Sequence, residues 1–155
     1  MNDQTVQIFL ADESATLELG RRIAQIVEPG LLIALHGDLG AGKTTLARGV
    51  LRGLGYDGRV KSPTYTLVEL YELSRLHLYH FDFYRFNDPR ELGDAGFREA
   101  FNGNAVCIVE WPERAVDILP APDLDIRLIE ERGGRKVLLA ATTEKGKHCL
   151  ARLPS

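Results

Sequence analysis

Gly37-Asp38-Leu39-Gly40-Ala41-Gly42-Lys43-Thr44 decides how this chain is read. The string is Gly, four residues, then Gly-Lys-Thr, the pattern of a loop that wraps phosphate. It follows Leu31-Leu32-Ile33-Ala34-Leu35, an apolar run of the length of one buried strand. It precedes Thr45-Leu46-Ala47-Arg48-Gly49-Val50-Leu51, which reads as a helix closing near the glycine C-cap of Leu54-Gly55. The chemistry needs these residue types. Glycines let backbone N–H groups close around phosphate oxygens in conformations that strain other residues. The helix N-terminus adds partial positive charge at the same point. Lys43 is placed to reach β- and γ-phosphates, and the Thr44 hydroxyl to hold Mg²⁺. Four specified positions arise by chance in roughly one chain of this length in a few hundred. The strand-before, helix-after context makes chance rarer still, so the chain is read as binding a nucleoside triphosphate.

Working outward, Thr5 to Leu10 reads as a first strand. Asp12 is a natural N-cap for a helix from Glu13 to about Val27, with Leu17, Ala24 and Val27 on its core face and Pro29-Gly30 as the stop. Tyr65–Leu73 and Leu76–Phe83 are aromatic and β-branched runs joined by a very short turn, the signature of an antiparallel hairpin. Asp88-Pro89-Arg90-Glu91 has the residue order of a helix start. Ala105–Val109 is a second buried strand ending at Glu110, and a short helix is expected from Pro112. Leu124–Glu130 and Lys136–Thr142 read as strands joined across Gly133-Gly134. The last dozen residues give no clear signal. Two buried apolar strands with a helical crossover imply a parallel core, and the hairpins add antiparallel strands. The expected architecture is α/β, a mixed parallel and antiparallel sheet with helices on its faces, forming one domain over residues 1–155. The ligand site belongs at the carboxyl ends of the parallel strands.

Composition narrows the classes. At 155 residues, 45% hydrophobic and 26% charged, the chain has the balance of a soluble globular domain. A net charge of −3 gives no electrostatic footprint for nucleic acid, so any RNA contact needs a local patch or a partner protein. No apolar run approaches a membrane span, and Met1-Asn2-Asp3-Gln4 does not open a signal peptide. Cys107 and Cys149 lack metal-type spacing, and Cys107 reads as a small buried hydrophobe. These features fit a reducing cytoplasm.

A phosphate loop needs a carboxylate to anchor Mg²⁺. Asp82 ends the run Tyr79-His80-Phe81-Asp82-Phe83-Tyr84 and is either that carboxylate or a turn-capping residue. Glu110 ends a buried strand, where a carboxylate is placed for metal or water activation, or simply meets solvent. Glu113 lies three residues on and points the same way if the turn is helical; as a surface carboxylate it does nothing. Ser62-Pro63-Thr64-Tyr65-Thr66 occupies the place of a γ-phosphate-sensing loop, or is a proline turn entering a strand. Histidines 36, 77, 80 and 148 form no ligand spacing and are read as surface or strand residues. Trp111 is either a packing residue or a partner contact.

Neither Asn-Lys-x-Asp nor Asp-x-x-Gly occurs, which removes the usual GTPase signatures; no arginine-rich lid of a small-molecule kinase is obvious, although Arg85, Arg90 and Arg98 keep that class open. The segments Gly37–Thr45, Lys61-Ser62-Pro63-Thr64-Tyr65-Thr66-Leu67-Val68, Tyr79-His80-Phe81-Asp82-Phe83-Tyr84-Arg85 and Val109-Glu110-Trp111-Pro112-Glu113 occur in one order and spacing. Together they resemble the bacterial TsaE (YjeE) family, the ATPase of tRNA threonylcarbamoyladenosine synthesis. The resemblance spans nearly the whole chain and implies a cytoplasmic Mg-ATPase that is weak alone. It implies partners of the TsaD and TsaB type, which modify tRNAs reading codons that begin with A, with tRNA contacted indirectly. By resemblance, Gly37, Asp38, Leu39, Gly40, Ala41, Gly42, Lys43, Thr44 and Thr45 bind ATP. Thr44, Glu110 and Asp82 hold Mg²⁺, and Lys43, Asp82 and Glu110 are the catalytic set. Ser62, Pro63, Thr64, Tyr65, Thr66 and Trp111 form the switch and partner face, and Glu13 and Glu113 lie on the adenine side. A metabolite kinase built on the same loop is the competing class, and an adaptor that binds ATP without turnover is a third.

Overall fold

A computed structural model describes residues 5–63, 66–88 and 94–154. In chain order the elements are β1 (Thr5–Leu10), α1 (Glu13–Ala24), β2 (Leu32–His36), α2 (Lys43–Gly53), β3 (Val68–Glu72), β4 (His77–Asp82), α3 (Asp94–Ala100), β5 (Ala105–Glu110), a 3-10 turn (Pro112–Ala115), β6 (Leu124–Glu131), β7 (Gly134–Ala141) and α4 (Glu144–Leu150). They build one seven-stranded sheet in the order β1-β7-β6-β2-β5-β4-β3. β6, β2, β5 and β4 run parallel; β7 lies antiparallel to β6 and β3 antiparallel to β4, while β1 pairs antiparallel with β7 and so runs in the direction of the core strands. The expected mixed sheet is the observed one.

The central strands are apolar because both of their faces are covered: every residue of β5 is buried. At the edge, β1 alternates, turning Val6, Ile8 and Leu10 toward the core and leaving Phe9 half exposed. One face of the sheet carries α1 and α2. Asp12 caps α1 by accepting from the Ala15 N–H at 2.9 Å, as its position predicts. The two helices pack through glycine: a Cβ on Gly49 would lie 2.4 Å from the Leu17 carbonyl oxygen, and one on Gly20 2.6 Å from that of Leu46. This close approach seats α2, and with it the loop that feeds α2, firmly on the sheet. The other face holds an aromatic cluster in which Phe81 packs against Phe83, Phe97 and Phe101. Each fully buried ring contributes about 1.5–3 kcal/mol. Among the described residues, no helix is long and apolar enough to cross a membrane.

Several boundaries differ from expectation. α1 ends at Ala24 rather than Val27, because the N–H groups of Gln25 and Ile26 bond to Arg22 and Ile23 and tighten the last turn. Its core face is Leu19, Gly20, Ile23 and Ala24, and Leu17 is only half buried. α2 starts at Lys43, two residues before Thr45. β3 starts at Val68 because Leu67 adopts a left-handed φ of 70° and donates its N–H to Pro63 at 2.7 Å. The helix start expected at Asp88–Glu91 falls largely on residues 89–93, outside the described residues. The β6–β7 turn is Arg132-Gly133, both at positive φ, so β7 already begins at Gly134. The ambiguous tail forms α4, capped by Thr143 through the Gly146 N–H.

One pairing bears directly on function. β4 is a hairpin partner of β3, but its other edge runs parallel to β5 with Asp82 opposite Glu110. Both carboxylates therefore stand at the same carboxyl end of the sheet, next to the end of β2.

Candidate functional site

β2 delivers the chain to Gly37, and the loop closes where Gly42, at φ 105°, gives way to Lys43 in α2. Only glycine adopts that backbone without strain, and the first-turn N–H groups of α2 carry no helical partner. The loop is braced from inside by Ala41 N–H on the Asp38 carbonyl at 3.0 Å. It is braced from outside by Arg135, whose Nε and Nη2 donate to the carbonyls of Ala41 (2.8 Å) and Gly40 (3.0 Å). With those carbonyls held outward, backbone donors are left for the cleft. Residues Asp38–Thr45, with Ser62, Asp82, Tyr84, Glu110 and Trp111, line a cavity of about 290 Å³.

Lys43 is almost fully buried at its floor. Its ammonium donates to the carbonyls of Gly37 and Asp38 and lies 4.0 Å from the centre of the Trp111 ring. Burial pulls its pKa below 10.5, and the charges of Glu110, Asp82, Glu113 and Asp38 oppose that pull. Trp111 holds a left-handed backbone, φ 58°, that turns its ring onto Lys43 and Tyr84, the latter with ring centres 5.0 Å apart.

The carboxylates complete the cleft. Thr44 Oγ1 donates to Glu110, 3.0 Å from Oε2 and 3.3 Å from Oε1. His80 Nε2 lies 2.6 Å from the same Oε2. Asp82 accepts from the Ser62 hydroxyl and from the Tyr84 N–H, the latter at 2.9 Å. Both carboxylates are buried.

The structure thus brings Lys43, Thr44, Asp82, Glu110, Ser62 and Trp111 into one cleft. Pro63 is buried beside it and Thr66 is exposed, while Thr64 and Tyr65 lie outside the described residues. Glu13 lines a second cavity of about 240 Å³ across the loop, with Asp12, Thr16, Thr45 and Arg135. Glu13 also pairs with Arg48 at 3.3 Å. Glu113 does not join the cleft: it is exposed and faces His36 Nδ1 at 3.9 Å. Sequence reading missed His80, Tyr84 and Arg135. His80 had a signal, since it stands two residues before Asp82 and so shares its face of a buried strand. Arg135 had none, because its contact crosses 94 residues.

The family model described as "Threonylcarbamoyl adenosine biosynthesis protein TsaE" matches residues 10–137. The chain is 43% identical over 148 residues to the tRNA threonylcarbamoyladenosine biosynthesis protein TsaE of Haemophilus influenzae, covering 92% of this chain and 94% of that one. It is 42% identical over 111 residues to the protein of that name in Bacillus subtilis, covering 72% and 69%. The solved structure of Bacillus subtilis YdiB superposes with a TM-score of 0.85 at 28% identity, covering 99% of this chain and 96% of that one.

Proposed function

The chain belongs to the TsaE family of threonylcarbamoyl adenosine biosynthesis proteins, and on that premise we propose that it is a Mg-ATP-dependent switch serving that modification of tRNA. The observation that carries this reading is the Thr44–Glu110 contact in the cleft that also holds Lys43. A hydroxyl and a carboxylate at the mouth of a phosphate loop form the donor set that Mg²⁺ takes when it also leans on nucleotide phosphates. The donors are hard oxygens, and Asp82 stands beside them. The ion would screen phosphate charge at Thr44, Glu110 and Asp82.

In this reading the loop from Gly37 to Thr45 binds the phosphates through backbone N–H groups. Lys43 exchanges its loop carbonyls for phosphate oxygens, which are better acceptors for an ammonium. The nucleoside lies toward Glu13, where the second cavity opens. Glu113, turned to His36, is assigned no nucleotide contact. The segment 62–66 is tied to Asp82 through Ser62, so a change of phosphate or metal beside Asp82 is felt by that segment. Trp111 is tied in the same way through Lys43. Together they present a face whose shape depends on the nucleotide, and its partners are the TsaD and TsaB type proteins, with tRNA reached through them and codons beginning with A as the target set.

Calorimetric titration with ATP tests the binding half. Tight binding that depends on Mg²⁺ and is lost in Lys43→Ala is expected; equal binding by Lys43→Ala overturns it. Thr64→Ala tests the switch half. It should keep ATP binding and lose coupling to the partner complex, whereas a metabolite kinase on the same loop would need a small acceptor and would ignore the partners.

A further inference from the structure

His80 is buried completely in β4, between apolar neighbours such as Leu78 and Phe81. A leucine or valine would suit that position better, because an imidazole taken out of water needs hydrogen bonds to compensate. His80 has one: its Nε2 lies 2.6 Å from Glu110 Oε2. Its Nδ1 has no partner among the described residues. An ionised carboxylate only accepts, so the proton of this bond sits on Nε2.

We propose that His80 is a positioning residue whose Nε2–H holds the Glu110 carboxylate against Thr44, in the placement that Mg²⁺ binding uses. The inference rests on the Mg-ATP reading of the cleft. The imidazole grips Oε2 from inside the sheet, and the Thr44 hydroxyl donates to the same carboxylate, 3.0 Å from Oε2 and 3.3 Å from Oε1. Glu110 ends β5, and its side chain has several rotamers to choose from. A carboxylate that swings loses the fixed pairing with Thr44, and outer-shell donors of this kind commonly tune metal affinity by roughly 10- to 100-fold. The parallel register is what makes the grip reach: β4 runs beside β5 with His80 opposite Ile108 and Asp82 opposite Glu110, so His80 approaches Glu110 diagonally.

Two variants of similar bulk separate donation from packing. His80→Leu fills the space without a donor. His80→Gln places an amide N–H close to where Nε2 sits. Calorimetry of ATP binding with Mg²⁺ titrated in, and again with chelator, reads the metal dependence, and thermal unfolding reports the fold. His80→Leu should need roughly 10- to 100-fold more Mg²⁺ for the same ATP affinity, with chelated affinity unchanged, and His80→Gln should recover most of the loss. If His80→Leu keeps the wild-type Mg²⁺ dependence, or weakens binding equally with and without Mg²⁺, the positioning role is overturned. So it is if His80→Gln folds like the wild type yet behaves like His80→Leu. If the wild type itself binds ATP independently of Mg²⁺, the reading of the cleft falls, and this role falls with it.

Discussion

The Lys43 ammonium sits 4.0 Å from the centre of the Trp111 ring, close enough for a cation–π contact, while donating to two carbonyls of its own loop. A lysine so placed has its charge satisfied locally, and a phosphate must draw it away from those carbonyls. Trp111 senses any such movement, and it is the one tryptophan in the chain. Nucleotide binding is therefore expected to change tryptophan fluorescence. A titration with ATP should give a saturable change in the wild type and none in Lys43→Ala. A silent tryptophan in a protein that binds ATP by calorimetry would separate Trp111 from the phosphate site.

The same lysine sets a pH dependence. Burial, the largest influence, lowers its pKa below 10.5, so the neutral amine forms at a lower pH than for an ordinary lysine. Phosphate affinity needs the ammonium, so ATP affinity should fall as pH rises through that lowered value. The contribution to folding has the opposite sign. Between the lowered value and 10.5 the unfolded chain holds the proton that the folded chain has released, so this group's contribution to stability rises with pH. Glu110 gives the largest opposing attraction. Glu110→Gln should therefore move the alkaline loss of ATP affinity to lower pH, read by calorimetry across a pH series. A loss at unchanged pH would contradict that coupling.

Packing under the loop gives a prediction independent of nucleotide. A Cβ at Gly49 would lie 2.4 Å from the Leu17 backbone oxygen and 3.0 Å from Gly20 Cα. Neither neighbour is a side-chain tip that can swing away, so α1 and α2 must separate. Gly49→Ala is expected to destabilise the fold by about 1–3 kcal/mol, lowering Tm by roughly 2–4 °C per kcal/mol. An unchanged thermal unfolding curve would show that the helices repack without cost.

Much of this fold is written locally. The apolar runs of β2 and β5, the Asp12 cap and the glycine loop each carry a signal within a few residues, and each forms where the chain indicates. Glu110 was visible because it ends an apolar run. The pairing of β4 with β5 was not visible, since parallel registers join segments distant in sequence and leave no turn to read. That register places Asp82 opposite Glu110 and His80 within its reach, so the imidazole's role was hidden along with it. Arg135 was hidden for the same reason, as its bonds to Gly40 and Ala41 exist only once β7 lies beside the loop. The end of α1 was misplaced because Ile26 and Val27 are buried as helix residues would be, although the backbone has already tightened and turned.

The decisive measurement is ATP hydrolysis by the purified protein, alone and with a TsaB–TsaD type pair added, with Lys43→Ala as the blank. Slow turnover alone and clear stimulation by the pair is the expected result of a nucleotide switch whose Trp111 and 62–66 face meets those partners. Turnover that the pair leaves unchanged would contradict it and redirect attention to a small phosphoryl acceptor.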